Sequence, residues 1–565
     1  MKSISFCFIA LSSVVVAQNP LYIPDTLSSS TIDLSLQTGT VQFYAQQPTS
    51  TYGVNGHILG PTLMLRKNYS VTINVANNLP DTTTIHWHGM HVAPVNDGGP
   101  HITIAPGSTW SPTFKVKDWA STHWYHPHLH EHTNAHVQKG IAGLIIVRDS
   151  AERSLGLPRT YGVDDFPMVI QTKAFDTNNQ IVVASAQDTA LMVNATLRPF
   201  LDVPSQVVRL RLLNGSSERT YLLGFTGNKT FYQIASDGGL LSSPVSLTRL
   251  RLSPGERAEI LLDFSPYSGQ SFDMVNFTTE LPNGNYGAPQ PGMGPGQTIP
   301  GYALNTINTA TYSVIKFNVA APTSSPVTSI PTTLAMHNPW AENSAVHSRT
   351  LTFMAANMGP SAIQGPFIID NQMFDMNTIN QTIPLDNIEI WTLRNQSPIS
   401  HPFHIHDVHF YVLDINGTPP PANLAGRKDV ILVPAGNGTV RFITKFETYC
   451  DDEYPYMYHC HMLTHEDDGM MGQFLVTCPL ETGIDATEAK KEVIIYPNPG
   501  NNQVNIMLDN SVYASFFVLD VWGKTIQSGT LHEGLNTIDI SPLQSGVYFI
   551  KTGSEKSKSY KLIKQ

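Results

Sequence analysis

Four short stretches of this chain concentrate histidine. They are His86-Trp87-His88-Gly89, His126-Pro127-His128, His401-Pro402-Phe403-His404-Ile405-His406, and His459-Cys460-His461 with His465 and Met470 downstream. The first three contain H-x-H repeats in β-like context, and the fourth sets a cysteine between its two histidines. Successive side chains of a strand alternate faces. Each pair therefore presents two imidazoles on one side, while Cys460 faces the other. Such pairs can deliver eight imidazoles to a common site, a nitrogen-only set that favours copper, zinc or iron. Across the last strand, Cys460 with His465, Met470 and His401 supplies two imidazoles, a thiolate and a weak thioether. That is the ligand set of a blue-copper electron-transfer site. Zinc would need no thioether and is redox-inert. The chain bonds from Cys460 to His459 and His461 join the two metal sites, which makes them a path for electrons. A single H-x-H is an ordinary surface or core feature, but four clusters with an interposed cysteine and a downstream methionine are not.

The elements that must carry these groups read as β throughout. Thr40–Tyr44, Tyr69–Val75, Gly140–Val147, Val207–Leu213, Ala258–Phe264 and Ile388–Leu393 are alternating or β-branched runs flanked by turn residues. No stretch holds a 3.6-residue period for a convincing length, and 40 Gly and 40 Pro punctuate the chain. The expectation is an all-β protein of antiparallel sandwiches or barrels. Its 565 residues suggest three or four domains. Composition shifts place a first β block at 18–150 and a second at 151–319, the latter including a Gly/Pro-rich surface loop, Pro282–Gly301. A connection over 320–347, a third block over 348–480, a polar linker over 481–492 and a small β unit over 493–565 follow.

A net charge of −11 argues against nucleic acid as a partner, since that needs a basic face. Residues 1–17 read as a signal peptide: Lys2, an apolar run from Ile4 to Val16, then Ala17 before Gln18. The run is too short to span a bilayer, which takes about 20 residues, and no later run is long enough. Cys7 leaves with this segment. Cys450 and Cys478 flank the fourth cluster; spacing leaves open whether they form a disulfide or stay as two thiols.

The four clusters resemble those of the multicopper oxidases, most strongly the bacterial laccase-like, cuprous-oxidase and bilirubin-oxidase types, over roughly residues 35–480. The stretch His459-Cys-His-Met-Leu-Thr-His465-Glu-Asp-Asp-Gly-Met-Met471 carries the resemblance furthest. It implies three cupredoxin-like Greek-key domains and four copper ions: one type 1, one type 2 and two type 3. By the family pattern His401, Cys460, His465 and Met470 would hold the type 1 copper, and His86 and His404 the type 2. His88, His126, His128, His406, His459 and His461 would hold the type 3 pair. A small-molecule donor would then give single electrons to the type 1 copper, Cys460 would pass them on, and dioxygen would be reduced to water. Asp97 and Glu466 resemble proton-relaying acids of bacterial relatives, and a carboxylate near the cluster suits that task. Asp467 and Asp468 read as surface charges. His91, His101, His123, His130, His132, His136 and His409 read as hydrogen-bonded or solvated, and Trp87 and Trp124 as packing that fixes the ligands. The middle block carries no ligand motif; Arg209–Asn214 and Ala235–Leu240 resemble the family's second domain, with a structural role.

Ile494-Ile-Tyr-Pro-Asn-Pro499, Gly546-Val-Tyr-Phe-Ile550 and the basic end with Lys561 and Lys564 resemble the C-terminal sorting domain of type IX secretion in Bacteroidetes. That implies the type IX machinery as a partner and a secreted or outer-membrane-surface location, with no transmembrane span. For the donor, a phenol or aromatic amine is favoured over Cu(I). Met293, Met354, Met358, Met373 and Met376 are sparse, and Asn395–Ser400, just before His401, holds no acid to attract a metal ion. A copper-binding or division-related scaffold without turnover is the alternative of another class.

Overall fold

The pairing of strands decides which histidines meet. In the computed structural model, which describes residues 18–183, 188–357, 360–479, 493–508, 514–532, 534–552 and 559–565, the chain forms two compact units, Met1–Pro479 and Leu480–Gln565. The first is a row of β-sandwiches, each two sheets closed over an apolar core.

The first sandwich pairs a sheet running Thr26–Leu27, Thr62–Arg66, Gly143–Arg148, Ser121–His126, His86–His88 with one built on Thr31–Val41 and Ser70–Asn77. Leu34, Leu36, Leu63, Ile73, Val75 and Ile145 fill the space between them. The second sandwich is larger, with a seven-stranded and a six-stranded sheet. In the third, His401–Ile405 lies between Tyr456–Cys460 and Val430–Val433, and the second sheet centres on Ile388–Asn395. Phe353, Trp391, Phe403, Phe442 and Phe474 form its core. Antiparallel register sets His86 opposite His126, His404 opposite His459, and Phe403 opposite Cys460. The histidines thus sit at sheet ends, where the two sandwiches face each other. His128, His406 and His461 lie just past the ends of their strands.

Three sequence expectations need correction. The strand read at Thr40–Tyr44 is Thr31–Val41; Phe43 and Tyr44 leave the sheet and pack edge-on against Phe175. Their alternation serves a contact with the second sandwich. The Pro282–Gly301 stretch is more than a surface loop, because Tyr286 and Ala288 are buried and Tyr286 joins the core of the third sandwich. Asn19–Pro20 pair in parallel with Pro199–Phe200, so the described chain starts on the second sandwich before crossing to the first.

After Ala320, which ends the strand Tyr312–Ala320, the connection holds no strand before His347 and is pinned as it crosses. Leu334 is buried on the second sandwich, while His337 reaches the Leu240 carbonyl at 2.7 Å and the Tyr411 hydroxyl at 3.2 Å. Cys450 and Cys478 form a disulfide, and Cys460 is a buried free thiol. The second unit has a three-stranded and a four-stranded sheet around Val504, Ile506, Val518, Ile538 and Ile550. The expected leader at 1–17, the linker at 481–492 and Met358 lie outside the described residues. Among the described residues no helix is long and apolar enough to cross a membrane.

Candidate metal centre

Eight of the predicted histidines converge between the first and third sandwiches, all with exposures of 0–1%. Ligand atoms within 4.8 Å of one another group them as His88, His126, His461; His128, His406, His459; and His86, His404, His406. Five of the rings have Nδ1 committed outward. His86 Nδ1 bonds the Asp97 carbonyl (2.9 Å), His404 Nδ1 the Asp429 carbonyl (2.9 Å) and His406 Nδ1 the Asp97 carboxylate (2.7 Å). His126 Nδ1 bonds the Pro127 carbonyl (2.8 Å) and His459 Nδ1 the Cys460 carbonyl (3.0 Å). A neutral imidazole carries one N–H and one lone pair. Spending the N–H outward leaves a lone pair aimed inward. Accordingly Nε2 of His86, His404 and His406 is buried with no hydrogen-bond partner. His128 Nε2 and His459 Nε2 face each other at 3.2 Å. Burial holds His88, His126, His404 and His406 well below the ordinary imidazole value and brings His128 and His461 down to about 3. These rings are neutral near pH 7, the form that ligates a metal.

A second group lies within the third sandwich, on the far face of the same strand. Cys460 Sγ is 3.4 Å from His401 Nδ1 and 3.6 Å from His465 Nδ1, and these two nitrogens are 3.3 Å apart. Ser397 Oγ holds His401 Nε2 at 2.7 Å, which turns Nδ1 to the sulfur. Phe367 packs on both rings. Met470 is fully buried, and its backbone is tied to Cys460 and His465. Burial pushes the Cys460 thiol up, so a metal must displace its proton. Two imidazoles, one sulfur and a nearby thioether suit copper, and eight converging imidazoles suit a multinuclear site of the same metal.

Asp97 and Glu466 are both buried beside the cluster. Glu466 oxygens lie 3.0 Å from His459 Nδ1 and 3.4 Å from His128 Nδ1. Burial pushes its carboxyl up, but these imidazoles outweigh that and hold it well below the usual range. Asp467 is not the surface charge expected. Its carboxylate accepts the backbone N–H groups of Thr133 and Asn134 at 2.9 Å, at the start of Thr133–Lys139, and burial, with Glu466 adding, pushes it up to about 8. Trp124 stacks on His126 at 4.0 Å, whereas Trp87 faces the core against Trp110.

Most surplus histidines are hydrogen-bonded. His91 meets Asp407 at 2.7 Å, His101 bonds Gln473, His123 bonds Ser121 and His136 bonds Thr83. His409 lies 3.6 Å from Asp429. His130 packs edge-on against Phe374, and His132 stacks near His136. Sequence reading missed Ser397, Asp429 and Glu218. Only Asp429 leaves a local signal, a charge set against the apolar run Val430–Val433.

Beside His465 lies a cavity of about 590 Å³. Ile299, Ile363, Ile399 and Tyr286 make its apolar wall, and Glu218, Asp467 and Asp468 its acidic side. Glu218 accepts from the Thr464 hydroxyl; burial, with Asp188 and Asp468 adding, pushes it up to about 7.

Sandwich order, convergent histidines and the bridging cysteine are those of a cupredoxin-like copper oxidase fold. The chain belongs to the multicopper oxidase family, whose models match residues 35–152 and 343–478. A secretion system C-terminal sorting domain matches 494–565. Multicopper oxidase mco of Staphylococcus haemolyticus is 33% identical over 456 residues, covering 79% of this chain and 88% of its own. Cell division protein FtsP of Photorhabdus laumondii is 31% identical, covering 82% and 93%. Among solved structures, the bacterial laccase-like multi-copper oxidase CueO of Ochrobactrum sp., with oxidase activity towards lignin model compounds and lignosulfonate, matches with a TM-score of 0.71. It is 32% identical, covering 81% of this chain and 100% of that one. McoA multicopper oxidase of Aquifex aeolicus also gives 0.71, at 28% identity, covering 82% and 100%.

Proposed function

We propose that this protein is an exported oxidase that takes single electrons from a small organic donor beside His465 and delivers them to dioxygen at the histidine constellation. The observation that carries this reading is the strand Tyr456–Cys460 and the residue after it: Cys460 faces one group while His459 and His461 face the other. Copper bound there supplies one-electron redox chemistry and the reduction of dioxygen to water. His401, Cys460, His465 and Met470 are assigned to type 1, His86 and His404 to type 2, and His88, His126, His461 with His128, His406, His459 to the type 3 pair, four ions in all. Asp97 bonds His406 and Glu466 lies beside His459, and both carboxylates would serve as proton carriers at the copper site. The sorting domain supports export through type IX machinery.

The apolar wall of the cavity favours a phenol or aromatic amine as donor. Its acids favour a second reading, Cu(I) as the substrate, and they come from segments remote from Asn395–Ser400. A binding scaffold without turnover would not require both groups; FtsP-type relatives are the source of that alternative. The test is oxygen uptake by purified, copper-loaded protein with a phenol and with Cu(I) in parallel. Fast uptake with the phenol supports the first reading, and uptake mainly with Cu(I) replaces it with the second. No uptake with either at full copper occupancy sinks both.

A further inference from the structure

The middle sandwich, which supplies no ligand, nevertheless reaches the histidine constellation through one turn. Ser253–Glu256 links Leu250–Leu252 to Arg257–Asp263. Gly255 has φ +80°, and a Cβ there would lie 2.8 Å from the His461 ring. Two residues on, the buried Arg257 guanidinium grips Asp429 with two nitrogens, at 2.6 and 2.5 Å. Its other N–H bonds go to the carbonyls of Thr122 (3.1 Å), Gly255 (2.9 Å) and Asp237 (3.3 Å). A planar fork fixed at this many points has one orientation. Gly89, next to His88, leaves the room; a Cβ there would lie 2.5 Å from Asp429 Oδ2 and 2.6 Å from Arg257 Nη2.

Asp429 in turn faces His88, with Oδ1 3.2 Å from Nε2. His88 is the exception in the constellation, because it turns Nδ1 inward, 3.2 Å from His461 Nε2 and 3.4 Å from His126 Nε2. That nitrogen has a free lone pair only if the proton sits on Nε2. An anionic acceptor at Nε2 enforces this tautomer. Arg257 holds that carboxylate in place by its two-nitrogen grip.

Resting on the copper reading above, we propose that Arg257 is a positioning residue for the trinuclear site. It acts from the second sandwich, through Asp429 of the third, on His88 of the first. The middle sandwich is thereby a working part of the metal site. Outer-shell partners of this kind typically change metal affinity about 10–100-fold.

The test uses the full chain with Arg257→Met, Arg257→Lys and a control, Arg209→Met. Arg209 is equally buried in the same sandwich, but it pairs with Glu152 and Glu259. Copper per chain, the near-ultraviolet type 3 absorption and the type 2 paramagnetic signal are followed during chelator titration. R257M is expected to keep the blue colour of the Cys460 site while its trinuclear copper is lost at about 10–100-fold lower chelator strength. R257K should hold most of it, and R209M should lose heat stability but no copper. Trinuclear copper held by R257M as tightly as by the parent overturns the proposal, as does equal loss in R209M. Should R257M fail to fold, Asp429→Asn decides: the same selective loss supports the proposal and full retention overturns it. A parent chain that takes up no copper at all brings down the copper reading first, so the two failures are told apart.

Discussion

The two metal groups share one strand but are built differently. The constellation draws on two sandwiches, its imidazoles are at most 1% exposed, and most of its rings have an outward anchor or a carboxylate beside them. The Cys460 group lies within one sandwich, and its His465 is 8% exposed on a cavity wall. The first arrangement shuts out solvent and fixes orientation. The second leaves one ring edge for an outside donor. Burial lowers His465 to about 3, so it too stays neutral as a ligand. On the proposed function, electrons would enter where the protein is locally open and be used where it is rigid.

The largest expected effect comes from cutting the shared strand at its sulfur. Cys460→Ser should abolish the blue colour and bring oxygen uptake to background, with one of the four proposed coppers lost per chain. The eight histidines face the other way, so trinuclear copper should remain. Loss of all four by metal analysis would show that the two groups are not separable. Next in size is Asp97→Asn, which strikes only the closed group. One residue anchors two rings there, His86 through its carbonyl and His406 through its carboxylate. Steady-state uptake should fall about 10–100-fold, while anaerobic bleaching of the blue centre by a donor, followed by stopped flow, keeps its rate.

The closed group was more legible in the sequence than the open one. Period-2 alternation alone put Cys460 opposite His459 and His461, because a strand allows nothing else. It also paired the other histidines, although strands end at His126 and Ile405 and the last members sit beyond them. The donor cavity had no such pattern. Glu218, Ile299 and Ile363 come from separate loops, and only tertiary packing joins them to His465. Asp467 was misread for the same reason, since its helix partner lies over 300 residues away. Phe43 and Tyr44 show the converse, a strand-like alternation used for a contact between sandwiches. The family resemblance covered the ligands but not Arg257, whose partner Asp429 is 172 residues distant.

A smaller effect should follow from opening the clamp outside the Cys460 group. The Cys450–Cys478 disulfide closes a loop with a separation of 28 residues that carries the whole strand. Loop-closure entropy assigns it about 3.6 kcal/mol. Cys450→Ser with Cys478→Ser should lower the melting temperature by several degrees. Copper content and the blue absorption at 25 °C should hold, because no ligand is touched. A bleached centre in folded protein would mean that the open group depends on this clamp for its geometry.

The smallest effect tests the donor itself. Glu218 sits on the acidic side of the cavity, and burial pushes its carboxyl from 4.5 to about 7. A carboxyl raised in the folded state holds a proton that the unfolded chain has released. Stability therefore falls as pH rises from about 4.5 to 7 and stays lower above it. Glu218→Gln cannot ionise, so melting curves across that window should lose this part of their slope, and the variant should gain stability at pH 8. Activity should split by donor. A cation such as Cu(I) loses an attracting charge of up to about 1 kcal/mol, or about fivefold in KM, while a neutral phenol keeps its KM. An unchanged KM for both donors, with the pH slope removed, would place Glu218 in the wall of the cavity rather than in the path of the donor.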